Sequence, residues 1–299
     1  MVTIIVPTYN RHKELKERSL PSIFKQTYKD WELIIVNDGG GIINNVKDAT
    51  VINLAENKGK SYCVNLAVSK AKGEYIVVVD DDNEICSQFL ELAVKAMEEE
   101  SAKQVGFGNS HYHAVTTGRV VKHLGYNDYA PAFFQTGYGF SAIDWGWLIR
   151  KEVFDEIKYD EGLMGDEDAD LGIQFFKRFR AYPLDLPLQV AYAEGDGVSF
   201  PSEKRLDSLI KFYDKNWREY EQSGPADISF LNRFVARNLY LAGKKRQAIR
   251  YFWRTFRSWP CRRTLTHFLV SLISYKAYYI LMRTEEKYYS RKRLKAYKL

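Results

Sequence analysis

Cysteine is scarce in this chain of 299 residues: only Cys63, Cys86 and Cys261 occur, odd in number and far apart. That argues against a disulfide framework and a closely spaced zinc site, and it points to a reducing, cytoplasmic setting. Glycine (19) and proline (8) are held to ordinary levels, which excludes a fibrous or low-complexity chain. Long apolar runs are missing too. The longest stretch, Leu265 to Met282, is interrupted by His267 and Lys276, whereas a membrane-crossing helix needs about 20 mostly apolar residues, so none is expected. The opening run from Met1 is stopped by Pro7; it is too short for the core of a signal peptide and reads as a first strand. A phosphate loop of the G-x-G-x-x-G kind is also lacking. The segment after that strand is Pro7-Thr8-Tyr9-Asn10-Arg11, which excludes a nicotinamide dehydrogenase.

What is present is the composition of a folded protein, 45% hydrophobic and 27% charged, long enough for one large domain or two unequal ones. The net charge of +6 conceals a division. From Lys244 to Leu299 there are 16 Lys and Arg against two acids, Glu285 and Glu286, giving +14; the remainder carries 28 against 36, or −8. The basic tail alone would suit nucleic acid, but the acidic balance of the larger part argues against that partner.

The first hundred residues alternate short apolar runs with helical segments, the mark of a parallel sheet. Strands are expected at Thr3 to Val6, Trp31 to Asn37, Val51 to Leu54 and Tyr75 to Asp80, and helices at Lys13 to Gln26, Lys60 to Ala71 and Gln88 to Glu100. Ligands of open α/β sheets bind beyond the carboxyl ends of the strands. Thr8, Asn10, Asp38 and Asp80 to Asp82 should therefore converge on one crevice. The stretch from about Val105 to Pro201 mixes aromatics, glycine and scattered strands with one clear helix, Ala169 to Arg180. From Ser202 the pattern turns helical.

Two acidic clusters carry the chemistry. Asp80-Asp81-Asp82 ends the most apolar strand. Three adjacent carboxylates repel one another unless a cation neutralises them, and Mg²⁺ or Mn²⁺ takes such oxygens together with substrate phosphates. A solvated acidic turn is the plainer alternative. The second cluster, Asp166-Glu167-Asp168-Ala169-Asp170, opens a helix. Either it caps that helix and complements its dipole, or one carboxylate is a general base for an acceptor hydroxyl.

Val6 to Arg11, Val36 to Gly40, Asn57-Lys58-Gly59 with Asn65, Lys72 to Tyr75, Val79 to Asn83 and Gly165 to Leu171 resemble, in order and spacing, the motifs of the family 2 inverting glycosyltransferases of the GT-A fold. The resemblance implies a mostly parallel central sheet flanked by helices. Residues 1–200 would be the catalytic domain, with 1–110 binding a nucleotide sugar and 111–200 the acceptor; 201–299 would be a helical extension, basic from 244. It further implies that Pro7, Thr8, Tyr9, Arg11, Asp38, Asn57, Lys60, Asn65, Asp80 and Asp81 contact the donor, with a UDP-sugar favoured. Asp80 and Asp82 would hold the divalent metal, and Asp168, preceded by Glu167, would be the catalytic base. Val64 departs from the arginine that many members carry before the motif asparagine, which leaves Lys60 as the replacement cation. Tyr192 to Asp196 lacks the histidine that serves some members as a metal ligand.

Trp145 and Trp147 lie upstream of the base where the family places its acceptor wall, with Glu167 beside them. Indole faces stack on sugar rings, and core packing is the alternative for each. In the tail, arginines interleave with aromatics, and Leu265, Phe268, Leu269, Leu272 and Ile273 repeat at helical spacing. Such a helix either lies peripherally in an anionic membrane interface on the cytoplasmic side or packs on the catalytic part or on a second copy of the chain. The expected function is transfer of a sugar to a hydroxyl of a lipid-linked or envelope glycan. The alternatives are a nucleotidyltransferase, or a non-catalytic protein that binds a nucleotide sugar or nucleic acid.

Overall fold

The structure is a computed structural model that describes residues 1–99, 106–116, 119–122, 146–179, 181–192, 203–274, 276–282 and 284. Two compact units form, one within residues 1–199 and the other from residue 200 onward.

The first unit is built on a sheet whose amino-terminal half is wholly parallel. β1 (Val2–Thr8) lies between β2 (Trp31–Asn37) and β4 (Tyr75–Val78), and β3 (Ala49–Asn53) pairs outside β2. Beyond β4 the order continues through β8 (Leu148–Arg150), β6 (Gly106–Thr116), β9 (Ala181–Tyr192) and β5 (Glu84–Ile85), with β7 (Arg119–Lys122) paired to β6. β8 and β5 run antiparallel to their neighbours. The expected α/β class with helices on both faces is what forms.

The continuous apolar runs are explained by that double cover. Ile4, Val6, Leu33, Ile35 and Val77 point to one face, where α4 (Phe89–Glu99) contributes Phe89, Leu90, Ala93, Val94 and Met97. Ile5, Ile34, Val36, Ile76 and Val78 point to the other, against Cys63, Val64 and Ala67 of α3 (Lys60–Lys70). Each of the Val, Leu, Ile, Phe and Met side chains among these contributes about 1.5–3 kcal/mol when fully buried.

The helix expected from Lys13 to Gln26 is broken into α1 (His12–Glu14), a π turn over Leu15–Ser19 and α2 (Leu20–Phe24). Pro21 accounts for the break: it has no N–H for the ladder and its ring crowds the carbonyl of Glu17. The 12-residue strand β9 was not expected. Pro183 and Pro187 argue against a strand in the sequence, and near Pro187 the pairing with β6 shifts register on either side of His111. Short α5 (Val153–Glu156) follows β8, and α6 (Glu167–Phe176) starts two residues earlier than expected, which brings Glu167 and Asp168 into its first turn.

The second unit is helical: α7 (Glu203–Ser223), α8 (Pro225–Leu241), α9 (Lys245–Ser258) and α10 (Arg262–Ile273). Its centre is aromatic, with Tyr240, Phe252 and Tyr278 at ring separations of 4.8 to 6.0 Å. Among the described residues no helix is long and apolar enough to cross a membrane.

Gly73, just before β4, shows how closely the parallel strands approach. A Cβ there would lie 2.5 Å from the Thr3 backbone nitrogen and 2.7 Å from its hydroxyl, which accepts the Gly73 N–H at 2.9 Å. Gly73→Ala should therefore cost about 1–3 kcal/mol, as overpacking does. A lower urea midpoint at unchanged slope is the expected reading, and a midpoint equal to wild type would contradict it.

Candidate active site

The parallel register brings the three strand ends together. Thr8 is paired with Asn37, and Ile5 with Val78, so three residues further on Thr8 meets Asp81. The Val79 N–H donates to the Ile5 carbonyl at 2.9 Å and continues β4 toward the aspartates. The Asn37 amide donates to the Gly41 carbonyl and to Asn53 Oδ1, both at 2.8 Å, and Asn53 bonds both backbone groups of Ile43. The loop after β2 is thereby clipped to the end of β3.

Each of the three aspartates of the first cluster lies against a cationic side chain from elsewhere, two cations serving three carboxylates. Lys60 Nζ donates to Asp80 Oδ1 at 2.8 Å. Arg11 Nη1 pairs with Asp82 Oδ2 and lies 3.5 Å from Asp81 Oδ1. Asp81 is buried, and burial pushes its carboxyl up to about 6 against the opposing pull of Thr8 and Arg11. Asp82 is also raised, by burial and by the charge on Asp80. The acidic cluster is thus no solvated turn. Asp80 and Asp82, the pair expected to hold a divalent cation, are each engaged here by a cationic side chain, so a metal would take the place of Lys60 and Arg11 on these oxygens. Among the described residues no three His, Cys, Asp or Glu side chains gather to hold a metal ion.

Asp38 is buried and accepts two backbone N–H bonds, from Lys58 at 2.6 Å and Gly59 at 2.8 Å. The end of β2 thereby fixes the loop that opens α3 and aims Lys60. Gly39 is required at the crossing: its φ is +87°, and a Cβ would come within 2.9 Å of the Asn57 backbone nitrogen. Tyr9 stands exposed beyond β1, an aromatic face open to a ligand. Pro7 is still within β1, opposite Val36.

Asn65 has a different job from the donor contact expected of it. Its Nδ2 donates to the Tyr159 carbonyl and to Glu161 Oε1, both at 2.9 Å, and its Oδ1 accepts the Tyr159 N–H at 3.2 Å. With both ends of the amide engaged, it is a clip between α3 and residues 159–161.

At the second cluster Asp166 is the N-cap of α6 but makes no side-chain cap bond, while Glu167, Asp168 and Asp170 lie in the first turn, where negative charge complements the helix dipole. Asp168 is partly buried, and its Oδ1 accepts the Ala169 N–H at 2.7 Å. Burial and the neighbouring Glu167 push its carboxyl up to about 6, while Lys60 pulls the other way. Lys60 also opposes the rise at Asp82, so the charge of one ammonium is felt at both clusters. Glu167 is buried with Oε2 on the Gly165 N–H, and Asp170 is fully buried with Gln174 at 2.7 Å. Trp147 takes the core alternative: it is 5% exposed and meets Phe175 edge-on at 6.4 Å. Trp145 lies outside the described residues. Sequence reasoning missed Arg18, whose Nη1 lies 3.4 Å from the Asp82 carbonyl; the available signal was its place seven residues, two helical turns, after Arg11.

Comparison with known proteins agrees with this fold. Residues 3–158 match the family described as Glycosyl transferase family 2. Glycosyltransferase GlyG of Streptococcus pneumoniae is 30% identical over 193 residues, 57% of this chain and 64% of that relative, so the match spans just under two thirds of its length. Among solved structures, S. aureus TarS 1-349 in complex with UDP-GlcNAc superposes with a TM-score of 0.64 at 18% identity, covering 97% of this chain and 92% of that one. Mannosyltransferase PcManGT from Pyrobaculum calidifontis, in complex with GDP-Man and Mn2+, gives 0.55 at 16% identity, over 93% and 86%. At such identities the shared property is the fold.

The clip formed by Asn65 makes a prediction that separates structure from ligand contact. Asn65→Ala should lose about 1–3 kcal/mol of stability, because the partly buried backbone groups of Tyr159 are left unmatched, with nucleotide affinity in the folded protein unchanged. Denaturation and calorimetry read the two effects apart; loss of affinity at full stability would return Asn65 to the donor site.

Proposed function

The chain belongs to glycosyl transferase family 2, and from that premise we propose that it moves a sugar from a UDP-sugar to a hydroxyl of a lipid-linked or envelope glycan, with inversion at the anomeric carbon. The observation that carries this reading is Lys60, whose ammonium is bonded to Asp80 and whose charge favours the ionised forms of Asp82 and Asp168. A common cation between a strand-end acid cluster and a helix-start acid cluster suits a reaction with two anionic partners, a diphosphate and a base. The complex of the fold neighbour TarS with UDP-GlcNAc supports a uridine donor.

In this reading Tyr9 offers its ring to the nucleobase, with Pro7, Thr8, Asp38 and Asn57 around it, and Asp81 accepts from a ribose hydroxyl. Lys60 and Arg11 exchange their carboxylate partners for diphosphate oxygens. A Mn²⁺ or Mg²⁺ held by Asp80 and Asp82 would stabilise the charge that develops on the leaving diphosphate, and the Mn2+ in the PcManGT structure supports that choice of ion. Glu167 borders the acceptor. Asp168 takes the proton of the acceptor hydroxyl as that oxygen attacks the anomeric carbon. The bond from that carbon to the phosphate oxygen breaks, and the electron pair leaves on the diphosphate. Attack from the face opposite the leaving group gives inversion in a single displacement.

Asp168→Asn should lower kcat about 100 to 10,000-fold, the usual worth of a general base, while calorimetry shows unchanged nucleotide binding. The sign of the pH dependence follows from the raised carboxyl: below about 6 it holds its proton and cannot accept another, so wild-type kcat/KM should rise through about pH 6. A flat profile across that range contradicts the assignment. Turnover should also stop in excess chelator and return with Mn²⁺, and Asp82→Asn should abolish it with near-ultraviolet dichroism intact; full turnover without metal would exclude the metal-assisted reading.

A further inference from the structure

α10 is turned inside out. Its buried residues are Thr264, His267 and Ser271, at 6%, 3% and 0% exposure, whereas Leu265, Leu269, Leu272 and Ile273 are outward at 38%, 48%, 46% and 71%. A helix normally buries its apolar stripe. The inward polar side chains have specific partners, so the orientation is built in: Thr264 Oγ1 donates to the Trp259 carbonyl at 2.6 Å, His267 Nδ1 is 3.3 Å from the Tyr278 hydroxyl, and Ser271 Oγ donates to the Phe268 carbonyl at 2.6 Å. Trp253 of α9, also exposed, packs on Phe268 at 5.4 Å and extends the outward apolar face across two helices.

Cations border this face. Arg250, Arg254 and Arg257 stand exposed on α9 and Arg262 at the start of α10. On the flank of α9 a cavity of about 680 Å³ is lined by Lys211, Lys244, Arg250, Tyr251 and Arg254 against a single acid, Asp207. We propose that α9 and α10 form a docking surface for an anionic phospholipid leaflet, with Trp253, Leu269, Leu272 and Ile273 entering the interface and the bordering arginines meeting headgroup phosphates. Charge selects this occupant. A second copy meeting the same face would bring one strongly basic segment against another, +14 in residues 244–299 of each chain, while an anionic surface attracts each basic residue by an amount that salt screens. The 12 residues of α10 are too few to span a bilayer and suit a helix lying in its plane.

The test is flotation of the full chain with phosphatidylglycerol-containing vesicles and with pure phosphatidylcholine vesicles, which reads lipid partition and leaves the transferase reading untouched. Wild type should float with the anionic vesicles at low salt and less so at high salt. Leu269→Glu with Ile273→Glu, both already exposed and so harmless to folding, should reduce partition at least about tenfold, with helical dichroism preserved. Arg250→Glu with Arg257→Glu should weaken anionic binding and its salt dependence together. Equal flotation with neutral and anionic vesicles, unchanged flotation of the leucine and isoleucine variant, or a dimer in sedimentation that this variant dissolves while wild type ignores vesicles would each overturn the proposal.

Discussion

The repulsion among Asp80, Asp81 and Asp82 is the constraint around which the first unit is arranged. Two like charges about 4 Å apart repel by about 4 kcal/mol at the effective dielectric near a protein surface, and here three are covalently adjacent. The structure offsets this with cations from two separate segments, Arg11 after β1 and Lys60 at the start of α3. Neither would reach its partner without the parallel register that aligns the strand ends. Asp38 adds the last link, because its two oxygens hold the N–H groups of Lys58 and Gly59 and so fix where the next residue points its ammonium. The end of β2 thus determines which cation sits at the end of β4.

Burial and charge pull against each other at Asp81 and Asp168, and in both burial wins. Arg11 and Thr8 favour ionised Asp81, and Lys60 favours ionised Asp168, yet each carboxyl is pushed up to about 6. A carboxyl so raised makes the folded chain hold a proton that the unfolded chain releases between about pH 4 and that value. It therefore lowers stability as pH rises through the interval. Such poise is a cost that a purely structural cluster would shed, and a base operating near neutrality benefits from it.

The parallel half of the sheet was legible because its signals are local: apolar runs of strand length, each ending in a polar residue. The same locality made Thr8, Asp38 and the aspartate cluster recognisable as neighbours. What escaped depended on partners distant in sequence. Asn65 carries the same amide whether it binds a ligand or the backbone of Tyr159, 94 residues away, and nothing near Asn65 distinguishes the two. Trp147 is an indole in either role until Phe175 is set against it. The two prolines of β9 argue against a strand, yet Pro183 pairs with Gly108 in register and the partner β6 shifts register only around Pro187. Pro21, by contrast, was visible, and its consequence, a π turn rather than a continuous helix, follows from the missing N–H alone.

The helical unit shows the limit of periodicity most clearly. Spacing reveals that α10 has an apolar stripe, but a stripe has no sign: the same pattern fits a helix facing a core and one facing outward. The sign is set by Tyr240, Phe252 and Tyr278, which fill the centre with rings and leave polar atoms for His267 and Ser271 to meet. Once the inward positions are polar and satisfied, the leucines have nowhere to go but out. That outcome exposes apolar area beside arginines in a strongly basic segment. A soluble monomer gains nothing from such an arrangement, since outward apolar area is a liability to it. The arrangement is favourable only where something apolar and anionic covers it, and a phospholipid leaflet has both properties in one surface.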